Sequence, residues 1–222
     1  IVGDVVNDGT LVFDRSDTVP FSGIVSGTGT LEQAGIGTTI LTGANSYAGG
    51  TTISAGTLQL GNGGTTGSVV GDILDNGRLV FNRSDTVIYD GIITGTGSFE
   101  QAGPGRTILT STSLFTGGTT ISAGILQLGD GTGPGGVTGD VLNNATLIAD
   151  WAAPVFYTGK VSGTGNVILN NTSLTILTGD STYTGGTELN GGRVEIGHIG
   201  TVMLPDGEQT FDGTSGSFVG DV

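Results

Sequence analysis

The chain has 222 residues with a formal net charge of −14, and it contains 45 glycines, one histidine and no cysteine. This composition excludes disulfide frameworks, thiolate metal sites and zinc sites built on several imidazoles. A polyanion is also repelled by nucleic acid and anionic lipid, and no apolar run approaches the ~20 residues of a membrane helix. We therefore predict neither nucleic-acid binding nor direct membrane insertion.

Short strands are predicted along the whole chain, each introduced by a corner of the form Gly-Thr-Leu or a close variant. These corners fall at residues 9–11, 29–31, 56–58, 77–79, 97–99, 124–126, 145–147, 165–167 and 192–194. Apolar and polar residues alternate after each corner, as in half-buried strands, and no segment has the 3.6-residue period of a helix. This order argues against the disorder that so much glycine could otherwise indicate.

A longer period of 68 residues is superimposed on the spacing of these corners. The segment "GGTTISAGTLQLG" at 49–61 returns at 117–129 with one change, and Gly-Asp pairs at 3–4, 71–72 and 139–140 keep the same spacing. A strict repeat of this kind is typical of stacked coils, which share a core that no coil could bury alone.

We therefore predict an all-β chain that forms one right-handed, single-stranded parallel β-helix, or β-solenoid, over residues 1–222. It would contain about 9–10 coils, with three coils in each repeat: 1–68, 69–136 and 137–222. A propeller or sandwich is the alternative, because Asp8-Gly9 and Asn76-Gly77 could form hairpin turns between paired strands.

The segment "GTGTLEQAGIGTTILTGANSYAGGTTISAGTLQLG" at 27–61 resembles the passenger-associated strand repeat of bacterial autotransporters. Residues 95–129 carry a second copy and residues 163–197 a third, weaker one. The resemblance implies a β-helical passenger that a C-terminal β-barrel in the outer membrane exports to the cell surface or the medium. The motif itself indicates no activity and no cofactor, and we predict a rigid stalk or adhesin scaffold with host-surface or glycan ligands.

Residues that could carry catalysis or hold a metal do not cluster in the sequence. With three coils per repeat, Asp4, Asp72 and Asp140 would lie roughly 14 Å apart along the axis, beyond the ~5–9.5 Å of a glycosidase pair. The glycine-rich stretches 61–67 and 129–136 lack the regular aspartate of a calcium-binding β-roll. We predict no catalytic, cofactor or metal site, and keep a β-helical carbohydrate lyase or hydrolase as an alternative.

The candidate partner-binding residues lie at three related corners. They are Arg15 and Asp17, Arg83 and Asp85, and Trp151 with Phe156 and Tyr157. The charged residues could bind a partner, or each arginine could merely neutralise its neighbouring aspartate. The aromatic residues could stack on a sugar, or they could pack in the core.

Both ends of the chain carry the same motif, "IVGDV" at the start and "FVGDV" at the end. The N-terminus has no signal-peptide pattern, and we expect the chain to be a fragment of a longer protein. The final repeat is longer than the other two, and we expect the stretch 198–216 to form a loop that bulges from the rod. Exposed strand edges at the ends would let copies associate end to end, so a structural subunit of an extracellular fibre or sheath is a further alternative.

Overall fold

A computed structural model describes residues 2–133, 135–197, 199–204 and 207–212, with the last two segments described for their backbone only. These residues form strands and no helix. The strands are β1 (Val5–Val6), β2 (Thr10–Phe13), β3 (Thr18–Phe21), β4 (Val25–Ser26), β5 (Thr30–Gln33), β6 (Thr38–Leu41), β7 (Thr51–Ile53), β8 (Thr57–Leu60), β9 (Ile73–Asp75), β10 (Arg78–Phe81), β11 (Thr86–Tyr89), β12 (Ile93–Gly95), β13 (Ser98–Gln101), β14 (Arg106–Leu109), β15 (Leu114–Phe115), β16 (Thr119–Ile121), β17 (Ile125–Leu128), β18 (Val141–Asn143), β19 (Thr146–Ala149), β20 (Val155–Tyr157), β21 (Val161–Ser162), β22 (Asn166–Leu169), β23 (Leu174–Leu177), β24 (Thr187–Leu189), β25 (Arg193–Ile196), β26 (Ile199–Leu204) and β27 (Gly207–Asp212).

Strands β1 to β25 wind into a three-sided coil whose strands pair in parallel with the coils before and after. The first face contains β1, β4, β11, β14, β17, β19, β22 and β24; the second contains β2, β5, β7, β9, β12, β15, β20, β23 and β25; the third contains β3, β6, β8, β10, β13, β16, β18 and β21. The chain visits the three faces in this order throughout, for about ten coils. The predicted all-β parallel solenoid is confirmed.

The strand pairing gives the length of one coil. Thr10 pairs with Thr30, a step of 20 in residue number. Between paired strands the shortest step is 19, from Thr38 to Thr57, and the longest is 22, from Thr51 to Ile73. The isolated bridge from Ala44 to Ser68, which spans the loop 61–67, is longer at 24. Inward-facing Leu, Ile and Phe side chains of successive coils stack into one hydrophobic core. This shared core explains why the alternating pattern extends over so many short strands.

Each passage of the chain along one face is one side of a coil, so a full coil has three sides. The 68-residue repeat contains ten sides, which is three coils and one further side. Equivalent residues therefore lie on successive faces: Leu11 on the second, Leu79 on the third and Leu147 on the first. The predicted three coils per repeat are thus extended by one side. The cause is visible in the corner spacing, because the step from residue 29 to residue 56 is one coil plus one side.

At one corner of the rod, the backbones of successive coils lie very close together, and aspartate side chains connect them. A Cβ on Gly23 would lie 2.0 Å from the carbonyl oxygen of Gly3 in the coil before it, so only glycine fits. The carboxylates at the equivalent position of each repeat accept a backbone N–H from the next coil at 2.8 Å: Asp4 from Ile24, Asp72 from Ile92, and Asp140 from Lys160. The repeated acids therefore hold neighbouring coils together.

The longer final repeat contains an antiparallel hairpin. Strands β26 and β27 pair from Ile199 with Asp212 to Leu204 with Gly207. The expected loop at 198–216 is thus replaced by a hairpin over much of its length, while residues 198, 205–206 and 213–216 lie outside the described residues, as does the closing "FVGDV". In the part of the chain that the structure describes, no helix is long and apolar enough to cross a membrane.

Candidate interaction surface

A glycine-rich loop leaves the third face after β8, and Arg83 of the next coil holds it in place. The guanidinium donates to the carbonyl oxygens of Gly67 at 3.0 Å and Thr65 at 2.5 Å, and to both carboxylate oxygens of Asp85 at 2.9 and 2.7 Å. Only 14% of the Arg83 side chain is exposed. Because its donors are bound to loop 61–67 and Asp85, Arg83 acts as a clamp within the rod.

Trp151 occupies the equivalent position in the next repeat and has the same role. Its indole Nε1 donates to the carbonyl oxygen of Gly135, which is the counterpart of Gly67. The ring is buried in the core, and Asn171 Oδ1 accepts its backbone N–H at 3.1 Å. Trp151 thus clamps the loop after β17, which agrees with core packing, the alternative to sugar stacking at this corner.

Arg15 is the first-repeat counterpart of these two clamps, and it lies in the first coil between β2 and β3. Its Nε and Nη2 donate to the two carboxylate oxygens of Asp17 at 2.8 and 2.7 Å. These hydrogen bonds lower the pKa of the Asp17 carboxyl. The two side chains are 60% and 57% exposed in this first coil, compared with 14% for the Arg83 side chain.

The two remaining aromatic candidates lie in different surroundings. Tyr157 is buried, and its hydroxyl donates to the carbonyl oxygen of Gly139 at 2.7 Å, as the Tyr89 hydroxyl does to Gly71 at 2.6 Å. Burial raises the pKa of both tyrosines. Phe156 is half-buried. The three aromatic residues therefore do not form one exposed cluster; Phe156 alone remains at the surface, and whether it binds a partner stays a prediction.

The longest connections leave the rod on three different sides. The loop 61–67 follows β8 on the third face, the loop 129–135 follows β17 on the first face, and the hairpin of β26 and β27 follows β25 on the second face. Successive connections are three coils and one side apart, which is roughly 16 Å along the axis at ~4.8 Å per coil. Sequence reasoning missed this screw arrangement, although the 68-residue period and the uneven corner spacing together contain it.

Two acidic side chains at equivalent positions of successive repeats pair with groups of neighbouring coils. Glu32 accepts a hydrogen bond from Ser54 at 2.7 Å, and Glu100, in the equivalent position, binds Ser122 and Arg78. In the described ranges, no group of three or more His, Cys, Asp or Glu side chains could hold a metal ion. The geometry on these faces is that of side chains that join neighbouring coils.

Comparison with known proteins places the repeat in a family. The passenger-associated-transport-repeat model matches residues 31–60, 99–128 and 161–196. The chain is 38% identical over 154 residues to the "Adhesin BmaC autotransporter" of Brucella suis biovar 1 (strain 1330), a match that covers 69% of this chain and 4% of that protein. No solved structure matches the chain significantly. The chain is therefore a β-helical passenger segment of the autotransporter kind, built on three passenger-associated-transport repeats.

Proposed function

We propose that this chain is a rigid, non-enzymatic segment of a bacterial cell-surface or secreted rod, exported through a C-terminal β-barrel, that serves as a stalk or adhesin scaffold. The observation that carries the proposal is the uninterrupted stack of about ten coils with long connections on all three sides. The similarity to part of an adhesin autotransporter supports it.

Adhesion would come from many weak contacts rather than from one deep site. The connections at 61–67 and 129–135 contain mostly glycine and threonine, and much of each is exposed. Each loop offers small polar groups that could contact a host-surface or glycan ligand weakly. Because the loops face different directions at regular intervals, a rod near a surface presents at least one of them in any rotational orientation, and repeated contacts raise the avidity.

Two glycines allow the loops to be tested without disturbing the core. A Cβ added to Gly64 or to Gly133 would meet no atom within 4 Å, and neither residue has a positive φ. Glutamate at both positions should therefore leave the rod folded while it changes the charge of both loops. Gly9 has equally open surroundings but lies at a corner of the first coil, so Gly9→Glu is the matched control.

The assay is adhesion of beads coated with the 222-residue chain to host cells and to a glycan array. We expect the coated beads to adhere, Gly64→Glu with Gly133→Glu to reduce adhesion severalfold, and Gly9→Glu to leave it unchanged. Equal adhesion of coated and uncoated beads would contradict the adhesive role. Turnover of a polysaccharide by the purified chain would favour the carbohydrate-active enzyme instead.

A fibre subunit is a second candidate function, which can be tested on the isolated 222-residue chain. Strands β1, β2 and β3 each end their sheet, with Leu11 and Phe13 only half-buried beside them. Such edges can pair with strands of another copy. Sedimentation over a concentration series should then show end-to-end oligomers, whereas a monomer at every concentration would rule out this candidate.

A further inference from the structure

One position in the core differs between repeats in a way that changes its chemistry. Asn7, Asp75 and Asn143 occupy equivalent positions in the three repeats, and all three are buried, Asp75 and Asn143 completely. In the first and third repeats the side chain is an amide, which can both donate and accept. In the middle repeat it is a carboxyl, which when ionised can only accept.

Each asparagine uses both ends of its amide to join two coils. Asn7 Nδ2 donates to the carbonyl oxygen of Thr30 in the next coil, and Asn143 Nδ2 donates to that of Asn166 at the same spacing, both at 2.8 Å. The Oδ1 atom accepts the backbone N–H two positions ahead, from Gly9 at 3.2 Å and from Ala145 at 3.1 Å. The amide nitrogen and oxygen of both side chains are therefore hydrogen-bonded.

Asp75 reproduces only half of this arrangement. Its Oδ1 accepts the N–H of Gly77 at 2.9 Å, but its buried Oδ2 has no hydrogen-bond partner. Ser98 is the counterpart of Thr30 and Asn166, and its carbonyl oxygen takes the place of the acceptor that an asparagine amide would reach. An ionised carboxylate would thus place one acceptor beside another in the core, a costly arrangement, whereas a protonated carboxyl could donate there.

We propose that Asp75 is a proton-binding site in the core of the rod, and that proton uptake there tightens the coil between β9 and β13 in mildly acidic solution. The coils of the middle repeat around Asp75 would then open less often at acidic pH than at neutral pH. The first and third repeats, with asparagine at this position, would not respond.

Within the described part of the chain, the charged groups around Asp75 are already paired with other groups. The strands that pair with β9, namely β7 and β12, carry no titratable side chain, and Asp72 on its own segment is occupied with the N–H of Ile92. Arg78 and Glu100 of the next face pair with each other. Burial raises the pKa of Asp75 to about 6, and the N–H of Gly77 opposes this shift.

Hydrogen exchange on the full 222-residue chain tests the proposal. After correction for intrinsic rates, amides of residues 73–98 should exchange about 25-fold faster at pH 7.5 than at pH 4.5, since proton binding with a pKa of about 6 contributes about 1.4 log units over this pH interval. Asp75→Asn should abolish this difference and keep the segment protected at both pH values. Asn143→Asp should create the same pH dependence at residues 141–166.

A direct titration covers the case in which a variant does not fold. The side-chain carboxyl carbon of Asp75, followed by NMR in the wild-type chain, should titrate near pH 6. A midpoint near pH 4, or a pH dependence at residues 73–98 that survives in Asp75→Asn, would overturn the proposal.

Discussion

Replacing Phe115 with tyrosine should stabilise the middle repeat. In the first repeat the buried Tyr47 hydroxyl forms a 2.7 Å hydrogen bond with Thr51 Oγ1, and in the third repeat Tyr183 binds Thr187 in the same way at 2.5 Å. Phe115 takes this position in the middle repeat and has no hydroxyl. The Oγ1 atom of Thr119 is consequently buried without a hydrogen-bond partner.

The size of the effect follows from one restored hydrogen bond. A neutral hydrogen bond within a protein contributes about 0.5–1.5 kcal/mol net, so Phe115→Tyr should raise the free energy of unfolding of this region by about 1 kcal/mol. The added hydroxyl enters the position that the other two repeats fill with tyrosine, which limits any overpacking. The reverse change, Tyr47→Phe, leaves Thr51 unsatisfied and should cost about 1–3 kcal/mol.

Local hydrogen exchange is the suitable assay, because coils of a solenoid can open separately. We expect Phe115→Tyr to slow exchange of the amides of residues 114–121 about fivefold, the factor that corresponds to about 1 kcal/mol, and Tyr47→Phe to accelerate exchange at residues 46–53. Faster exchange in Phe115→Tyr together with no effect of Tyr47→Phe would refute the reasoning, because it would show that the hydroxyl pair contributes nothing.

Three further substitutions test other parts of the structure by urea unfolding and local exchange. Arg83→Ala should cost about 1.5–3 kcal/mol because it releases the loop 61–67, whereas Arg15→Ala should cost close to nothing; equal costs would contradict the clamp. Leu58→Asp places a charge at a fully buried position and should disrupt neighbouring coils while distant ones stay protected, so a neutral effect would contradict the inward register. Ala149→Val should fill part of an apolar cavity of about 30 Å³ and gain at most about 0.7 kcal/mol, and a loss would show that the cavity cannot accept a larger side chain.

The contribution of Asp75 to the pH dependence of stability has a definite sign. The pKa of Asp75 is raised from 3.8 to about 6 in the folded chain, so its contribution to stability is fully present below about pH 4 and is lost as the pH rises through about 6. A shift of about two units corresponds to about 3 kcal/mol. Acid should therefore stabilise the coil around Asp75, the opposite of the usual behaviour of an ion-paired aspartate such as Asp85, whose pKa is lowered by Arg83.

The solenoid itself could be predicted from the sequence because its determinants are local and repeated. Corner glycines, alternating apolar residues and a gap-free 68-residue period recur often enough to exclude a chance pattern. The core positions follow directly: Leu58 and Leu79 are each the second residue of a strand that follows a corner, and both are fully buried.

The rotation between repeats could not be obtained in the same way. It depends on which strands pair, and the 68-residue period hides the fact that the length of one coil does not divide it evenly. The role of Trp151 was obscured for a related reason. An aromatic residue at a corner suggests a binding platform, and only its alignment with Arg83 across one period, together with the loop carbonyl that both bind, identifies it as a clamp.

The central claim, that each repeat advances by three coils and one side, can be tested by pulsed electron paramagnetic resonance. The chain has no cysteine, so spin labels can be attached to pairs of introduced cysteines at the exposed residues Val6, Val12 and Leu74. Val12 and Leu74 lie three coils apart on the second face, about 14 Å along the axis, whereas Val6 lies on the first face. We predict the shorter distance for Val12 with Leu74. A shorter distance for Val6 with Leu74, which occupy equivalent positions in successive repeats, would mean that the repeat is three coils long and would contradict the screw arrangement.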